Sequence, residues 1–491
     1  MLNLAGIDYL IILIPISAYF LIGYINRKKA STFNGFFLID RKLTSAQYTM
    51  TFVATNISAS TVLLALSSQS YQVGISVGWL VFAWIIGILL FGYLVNRKDS
   101  KLSNFFQSGY TLHEFLDEPT YQSKTLRRIA ALVTVFTFVA TVGIELYACT
   151  FVLKHMLAPS MSKFAIAVII ALIMIMYTNL SGFVGAVKTD IIQLVILVGG
   201  LSLLTYFGIR GVDRVGYDVF LRNLLPGETF LRSIWYAGTE WILAAFVLMI
   251  PFQLSVSDMW QRCCAIKGKK KAISKSLFIS ALLFVPFWFV PIFIGVVVKC
   301  FHPNIESADA FVYFLDLLRS PWAGFVLAGF FAAIISSADT LLVNASLVFL
   351  YDVYGPTKQI DFKGLSKDRD RTIMTAARLW IIVFGLVAII FVFLGKSLYH
   401  LIVTILSIQI VLFVPLFYGV IKKEGLPRKK YGAVFGVVFG FLFAFFTVIY
   451  GNLANDLNVL NSAPIVGFVS SLVFFVLFSF IKKAKIKKDR I

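Results

Sequence analysis

The sequence predicts an all-α polytopic membrane protein of about thirteen transmembrane helices, and three observations carry that expectation. Of its 491 residues, 59% are hydrophobic and 14% charged, with a mean hydropathy of +0.87, outside the range of soluble domains. Apolar runs long enough to cross a ~30 Å hydrocarbon layer as helix recur along the whole chain. Lys and Arg gather on alternate connections between those runs.

The first run, 7–26, has Asp8 near its start and Arg27, Lys28 and Lys29 after its end. That order is the reverse of a secretory signal, so the helix is expected to be retained. Spans two to six follow at 47–71, 75–96, 129–153, 160–179 and 186–208. Spans seven to eleven lie at 235–254, 273–298, 322–351, 374–394 and 398–421, and spans twelve and thirteen at 431–451 and 463–481. These runs leave no room for a soluble domain, so residues 1–491 read as one membrane unit.

With the N-terminus outside, the inward connections and tail (27–42, 97–128, 262–275, 358–371, 422–430 and 482–490) hold 33 of the 44 Lys and Arg. This is the positive-inside signature of a multi-pass plasma-membrane protein with a cytoplasmic C-terminus. The net charge of +20 therefore reports topology. Basic runs such as Lys269, Lys270 and Lys271 abut membrane helices, and no nucleic-acid partner is expected. Cys149 falls within a span, Cys263 and Cys264 on the inner side and Cys300 on the outer, an arrangement that offers no disulfide.

Enzyme signatures are missing: there is no HExxH, paired CxxC, GxSxG, or GxGxxG after a strand. The tripeptide Gly395-Lys396-Ser397 resembles the end of a phosphate-binding loop, but Ile390 stands where its first glycine belongs. The four histidines, His113, His155, His302 and His400, are scattered over loops and span ends. An uphill carrier without a nucleotide site couples to an ion gradient, where one charge moving through 100 mV supplies about 2.3 kcal/mol. A channel would show a repeated pore element, and none is visible.

Polar groups inside lipid are costly and mark function. Thr55, Asn56, Ser58, Ser60 and Thr61 interrupt span two. They either break the helix and free carbonyl oxygens for a cation, or bond to neighbouring helices. No Gly or Pro occurs in the stretch to favour a break. In span nine, Ser336 aligns with Asp339 and Thr340, and Ser337 with Thr340, so one face presents hard oxygens suited to an alkali cation. Thr189, Asp190 and Gln193 form a third cluster after the Gly182–Gly185 turn. Asp190 also fits a first-turn acid favoured by the helix dipole.

Three of these stretches resemble landmarks of the sodium/solute symporter family: Asn56-Ile57-Ser58-Ala59, the segment from Ser181-Gly182-Phe183 to Asp190-Ile191-Ile192-Gln193, and Ala332-Ala333-Ile334-Ile335-Ser336-Ser337-Ala338-Asp339-Thr340. Looser matches are Phe36 to Arg41, Leu112 to Leu116, Gln261-Arg262 and Asp352-Val353-Tyr354. The similarity runs in order over nearly the whole chain. It implies a leucine-transporter-like five-plus-five inverted repeat, with 46–208 as the first repeat and 232–421 as the second. Residues 1–45 would add the first helix and an inner loop, and 428–491 two helices and a basic tail.

The resemblance also implies a function: sodium-coupled symport of a small organic solute into the cell by alternating access, with Na+ as coupling ion and no other cofactor. One sodium would be held by the carbonyls of Ala54, Ile57 and Ala333 and the hydroxyls of Ser336 and Ser337. A second cation site would use Asp190, Ser336, Asp339 and Thr340, where two nearby carboxylates equally suit a proton, so proton-coupled symport stays open. Family substrate sites beside the broken helices would bring in Asn56, Thr61, Trp79, Phe82, Glu145, Gln253 and Gln409. Glu145 suits either an amine-bearing solute or a bond to a neighbouring helix.

Overall fold

The computed structural model describes residues 4–98, 100–156, 160–215, 218, 233–268, 270–362, 364–394, 398–422 and 426–480. The Gly395-Lys396-Ser397 tripeptide and the basic tail lie outside them. The chain is all-helical but for one isolated bridge between Leu43 and Ile266 among the described residues.

Among the described residues, eleven helical stretches are long and apolar enough to cross a membrane. The difference from the expected thirteen sits in two of them. Ala59–Asn96 passes through Gly74 at φ 60, and Lys163–Asp213 through Gly182 at φ 51. Left-handed backbone at these points is open to glycine at no steric cost. At Gly182 a Cβ would also lie 2.7 Å from the Phe36 ring.

In chain order, α1 is Gly6–Asn26, α2 Ser45–Asn56, α3 Ala65–Val73, α4 Gly78–Asn96, α5 Lys124–Met156 and α6 Lys163–Val215. The second half contains α7 Thr239–Ser255, α8 Ser257–Ala265, α9 Lys270–Phe301, α10 Trp322–Val348, α11 Lys367–Leu394, α12 Leu398–Gln409 and α13 Phe413–Ile421. The helices α14 (Lys430–Ala454) and α15 (Leu457–Phe478) close the chain and pack on each other.

Residue size sorts these helices by depth. The stretch built on α10, rich in Ala, Gly and Ser, is 94% buried and packs on α6 and α5, whereas α1 is 22% buried and faces outward with Leu10, Leu13 and Ile14. Small side chains let helix backbones approach where lipid offers no hydrophobic drive for association.

Two crossings are discontinuous. After α2 the backbone leaves the helix at Ile57 (φ −93°, ψ 69°) and Ser58 (ψ 151°), then re-enters through a wide turn, Ala59–Leu64, into α3. Between α7 and α8 it is extended at Val256 (ψ 117°). The first break falls where the sequence pattern allows one; the second lies just past the expected end of span seven. Breaks at the start of each half suit the five-plus-five repeat.

On one side, the chain ahead of α2 is tied to the end of α8. Leu43 N–H donates to Ala265 O at 3.0 Å and Lys267 N–H to Leu43 O at 2.7 Å. The Arg41 guanidinium donates to Cys264 O at 3.0 Å and Gly109 O at 2.8 Å. Behind this seal, the short helix Leu112–Leu116 docks on the end of α10. His113 spans Asp352 (3.0 Å) and Thr134 (2.9 Å), and Arg127 bonds Asp352 at 2.7 Å. Burial raises the Glu114 carboxyl above its ordinary value, against the pull of bonds from Tyr110 N–H and the Tyr351 hydroxyl. All four cysteines are buried.

Candidate functional site

The break after α2 survives without Gly or Pro because side chains take over its backbone groups. The first half-helix ends with its last carbonyls no longer facing a following turn. The Ser337 hydroxyl of α10 donates to Thr55 O at 2.8 Å, and Asn56 Nδ2 to Phe52 O at 2.8 Å. The second half begins with Ser58 Oγ accepting from Thr61 N–H at 3.0 Å. Glu145 of α5, fully buried, accepts a short bond from the Ser60 hydroxyl and one of 3.4 Å from Ser60 N–H. A carboxylate at this end complements the helix dipole.

The second break is braced in the same manner. Gln409 Nε2 donates to Ser255 O, Trp260 Nε1 to Leu254 O at 2.9 Å, and Asn344 Nδ2 to Gln261 Oε1 at 2.8 Å. Between the two breaks lies Arg262, fully buried and outside the set of site residues that the sequence suggests. Its guanidinium pairs with Asp258 Oδ2 at 2.7 Å and donates to Thr55 Oγ1 at 2.7 Å. The only signal for it in the sequence is the Gln261-Arg262 match; by charge alone it belongs with the inner loop.

The helix α10 brings both expected ion clusters together. Ala54, Ile57, Ala333, Ser336 and Ser337 are all buried where α10 crosses the break. Thr55 Oγ1 lies 3.4 Å from Ser336 O and 3.5 Å from Thr340 Oγ1. Ser336 turns its hydroxyl the other way, donating to Asp190 Oδ1 at 2.6 Å, while Thr51 makes a short bond to Asp190 Oδ2. Among the described residues, Asp339, 1% exposed, has no hydrogen bond of ordinary geometry to either oxygen, and the Tyr177 hydroxyl and Thr340 face it. The Gln193 amide likewise has no hydrogen-bond partner among the described residues. Hard oxygens with unspent lone pairs in a dry interior are what a desolvated alkali cation requires.

A cavity of about 240 Å³ lies against both breaks. Thr55, Ser58, Ser337 and Asp258 meet it at the breaks, and Trp241, Tyr399 and Asn461 stand at the starts of α7, α12 and near that of α15. Of the expected solute contacts, Asn56, Thr61 and Glu145 line it. Four others do not. Trp79 donates from Nε1 to Ile234 O at the rim beside Trp235, and Phe82 is 50% exposed. Gln253 is buried with its side chain in van der Waals range of Gly87, and Gln409 braces Ser255. Trp84, Phe252 and Trp288 supply the aromatic wall in their place.

The profile of the Sodium:solute symporter family matches residues 36–440. The chain belongs to this family. The sodium/pantothenate symporter of Haemophilus influenzae is 23% identical over 344 residues, 67% of this chain and 68% of that protein. Among solved structures, a substrate-bound, outward-open Na+-coupled sialic acid symporter superposes with a TM-score of 0.75 at 16% identity, covering 97% of this symporter and 98% of the other chain. A nucleobase-cation-symport-1 family transporter in a closed conformation gives a TM-score of 0.56 at 13% identity over 90% of this chain and 94% of its own. At such identities the likeness is one of fold. Family membership makes this a multi-pass membrane carrier that couples solute movement to sodium.

Proposed function

We propose that the symporter binds one sodium between the break after α2 and α10, and carries a small organic solute inward from the adjoining cavity. The observation that carries this reading is the meeting of α10 with the interrupted end of α2, where the Ser337 hydroxyl reaches Thr55 O at 2.8 Å. Carbonyls of Ala54, Ile57 and Ala333 with two hydroxyls form a neutral oxygen set. Such a set binds a monovalent cation weakly enough to release it into a sodium-poor compartment.

A second cation position is proposed at Asp190, Ser336, Asp339 and Thr340, supported by the buried Asp339 carboxyl, whose oxygens have no hydrogen bond of ordinary geometry among the described residues. A proton is the competing occupant there, because two close carboxylates favour sharing one. The cavity reaches the starts of α7 and α12 and is sealed at the Leu43–Ile266 bridge. Together with the 33 inward Lys and Arg, this supports thirteen crossings, an exterior N-terminus and a plasma-membrane location, with the cavity facing outward.

Proteoliposome uptake tests the function. Flux of a solute found by library screening is expected to saturate, to require external sodium and to carry net positive charge inward. Equal uptake in potassium medium would refute sodium coupling.

A further inference from the structure

We infer that the cavity takes an organic cation: a solute with an ammonium group, an apolar body and no carboxylate. The inference rests on reading the cavity as the solute site. In carriers with discontinuous helices, the N-terminus of a half-helix offers unpaired N–H groups and the positive end of a dipole, which receive a substrate anion. Here the protein's own carboxylate stands at that place. Glu145 accepts from the hydroxyl and the backbone N–H of Ser60, and Ser58 Oγ takes the N–H of Thr61. The anion position at this half-helix is occupied before any solute arrives.

The charge of the wall points the same way. Glu145 and Asp258 both line the cavity, and no Lys, Arg or His among the described residues does. Arg262 neutralises Asp258 at 2.7 Å. Glu145 has no ion-pair partner among the described residues, and its bonds are to neutral serine groups. Glu145 is thus the acid of the wall left without a cationic partner among the described residues. A carboxylate solute would lose its hydration to meet a like charge, whereas an ammonium would gain a partner.

Aromatic groups complete the fit. The Trp84 ring centroid lies 5.0 Å from that of Trp288 and 5.5 Å from that of Phe252, and such faces attract cations. Trp288, 5% exposed, and Trp84 both have indole N–H groups without a hydrogen-bond partner among the described residues. A neutral acceptor on the solute body, such as a hydroxyl oxygen, would satisfy them.

The test is thermal unfolding of the purified full chain in sodium buffer with three matched probes: tyramine, its neutral alcohol analogue 2-(4-hydroxyphenyl)ethanol, and the anion 3-(4-hydroxyphenyl)propionate. Tyramine is expected to stabilise at concentrations at least tenfold below the alcohol, and the anion not at all. Glu145→Gln, which can still accept from Ser60, is expected to bring tyramine level with the alcohol. A wild type that ignores tyramine, responds equally to alcohol and amine, or prefers the propionate overturns the inference; so does a folded Glu145→Gln variant that keeps the amine preference. Stabilisation by sodium alone reports the symport reading separately. Amine selectivity without any sodium effect would refute coupling and leave the charge selectivity standing, and a sodium effect with anion selectivity would do the reverse.

Discussion

At the residue scale, Arg262 ties the two breaks to each other. It neutralises Asp258 at the cavity floor and holds Thr55 at the end of α2. Removing one partner of a buried pair leaves an uncompensated charge, at a cost of about 3–5 kcal/mol. Arg262→Met is therefore expected to lower the melting temperature sharply, and adding Asp258→Asn to restore part of it; no recovery would mean that Arg262 acts through packing alone. The clusters around Ser336, Asp190 and Asn56 are legible in the sequence because an oxygen inside an apolar run must bond a neighbour or bind a ligand to offset its lost hydration. The solute wall is half legible. Trp79, Phe82, Gln253 and Gln409 fall on the right helices, but a residue's depth and facing depend on partner helices that no single-chain pattern reveals. Trp84→Ala is expected to weaken solute affinity tenfold or more and Trp79→Ala less than twofold, as read by solute titration of sodium-dependent uptake. The opposite order would restore the sequence-based choice.

At the scale of elements, the chain supplies the break after α2 through side chains rather than through proline or glycine, so the lack of those residues in span two does not preclude a break. Ser58, Glu145 and Ser337 make the first break tolerable in lipid, and only Ser58 is local in sequence. Close helix contact depends on glycine at Gly295 of α9, where an added Cβ would lie 2.2 Å from the Ser67 backbone oxygen of α3. Gly295→Val is expected to push α9 off α3, with folded yield falling several-fold in detergent extraction; a full yield would show that the helices separate freely. In the short helix Leu112–Leu116, Glu114 offers a pH-dependent check. Its carboxyl is raised above the ordinary 4.5, so it favours the protonated form when folded. That contribution is complete below pH 4.5 and is lost as pH rises through the raised value. The melting temperature of Glu114→Gln relative to wild type should climb across that interval, and a flat difference would contradict the burial argument.

At the scale of the whole molecule, the family match spans residues 36–440, and the sidedness expected from the loop charges is open to direct test. The native cysteines cannot report sidedness, because Cys263, Cys264 and Cys300 are each at most 6% exposed. Exposed positions serve instead. In intact cells a membrane-impermeant thiol reagent should label Asn304→Cys and leave Lys267→Cys unlabelled, and the reverse pattern would invert the topology. The helix count is legible only to within the two glycine interruptions, since apolar length alone does not say whether a long helix turns back or continues. The most direct measurement is the unfolding temperature of the purified chain in sodium against potassium at equal ionic strength, without any solute. Sodium bound between α2 and α10 predicts stabilisation in wild type. In Ser336→Ala/Ser337→Ala, the sodium concentration needed should rise at least tenfold, about 1.4 kcal/mol. An identical sodium response in wild type and the folded double variant would contradict the assignment.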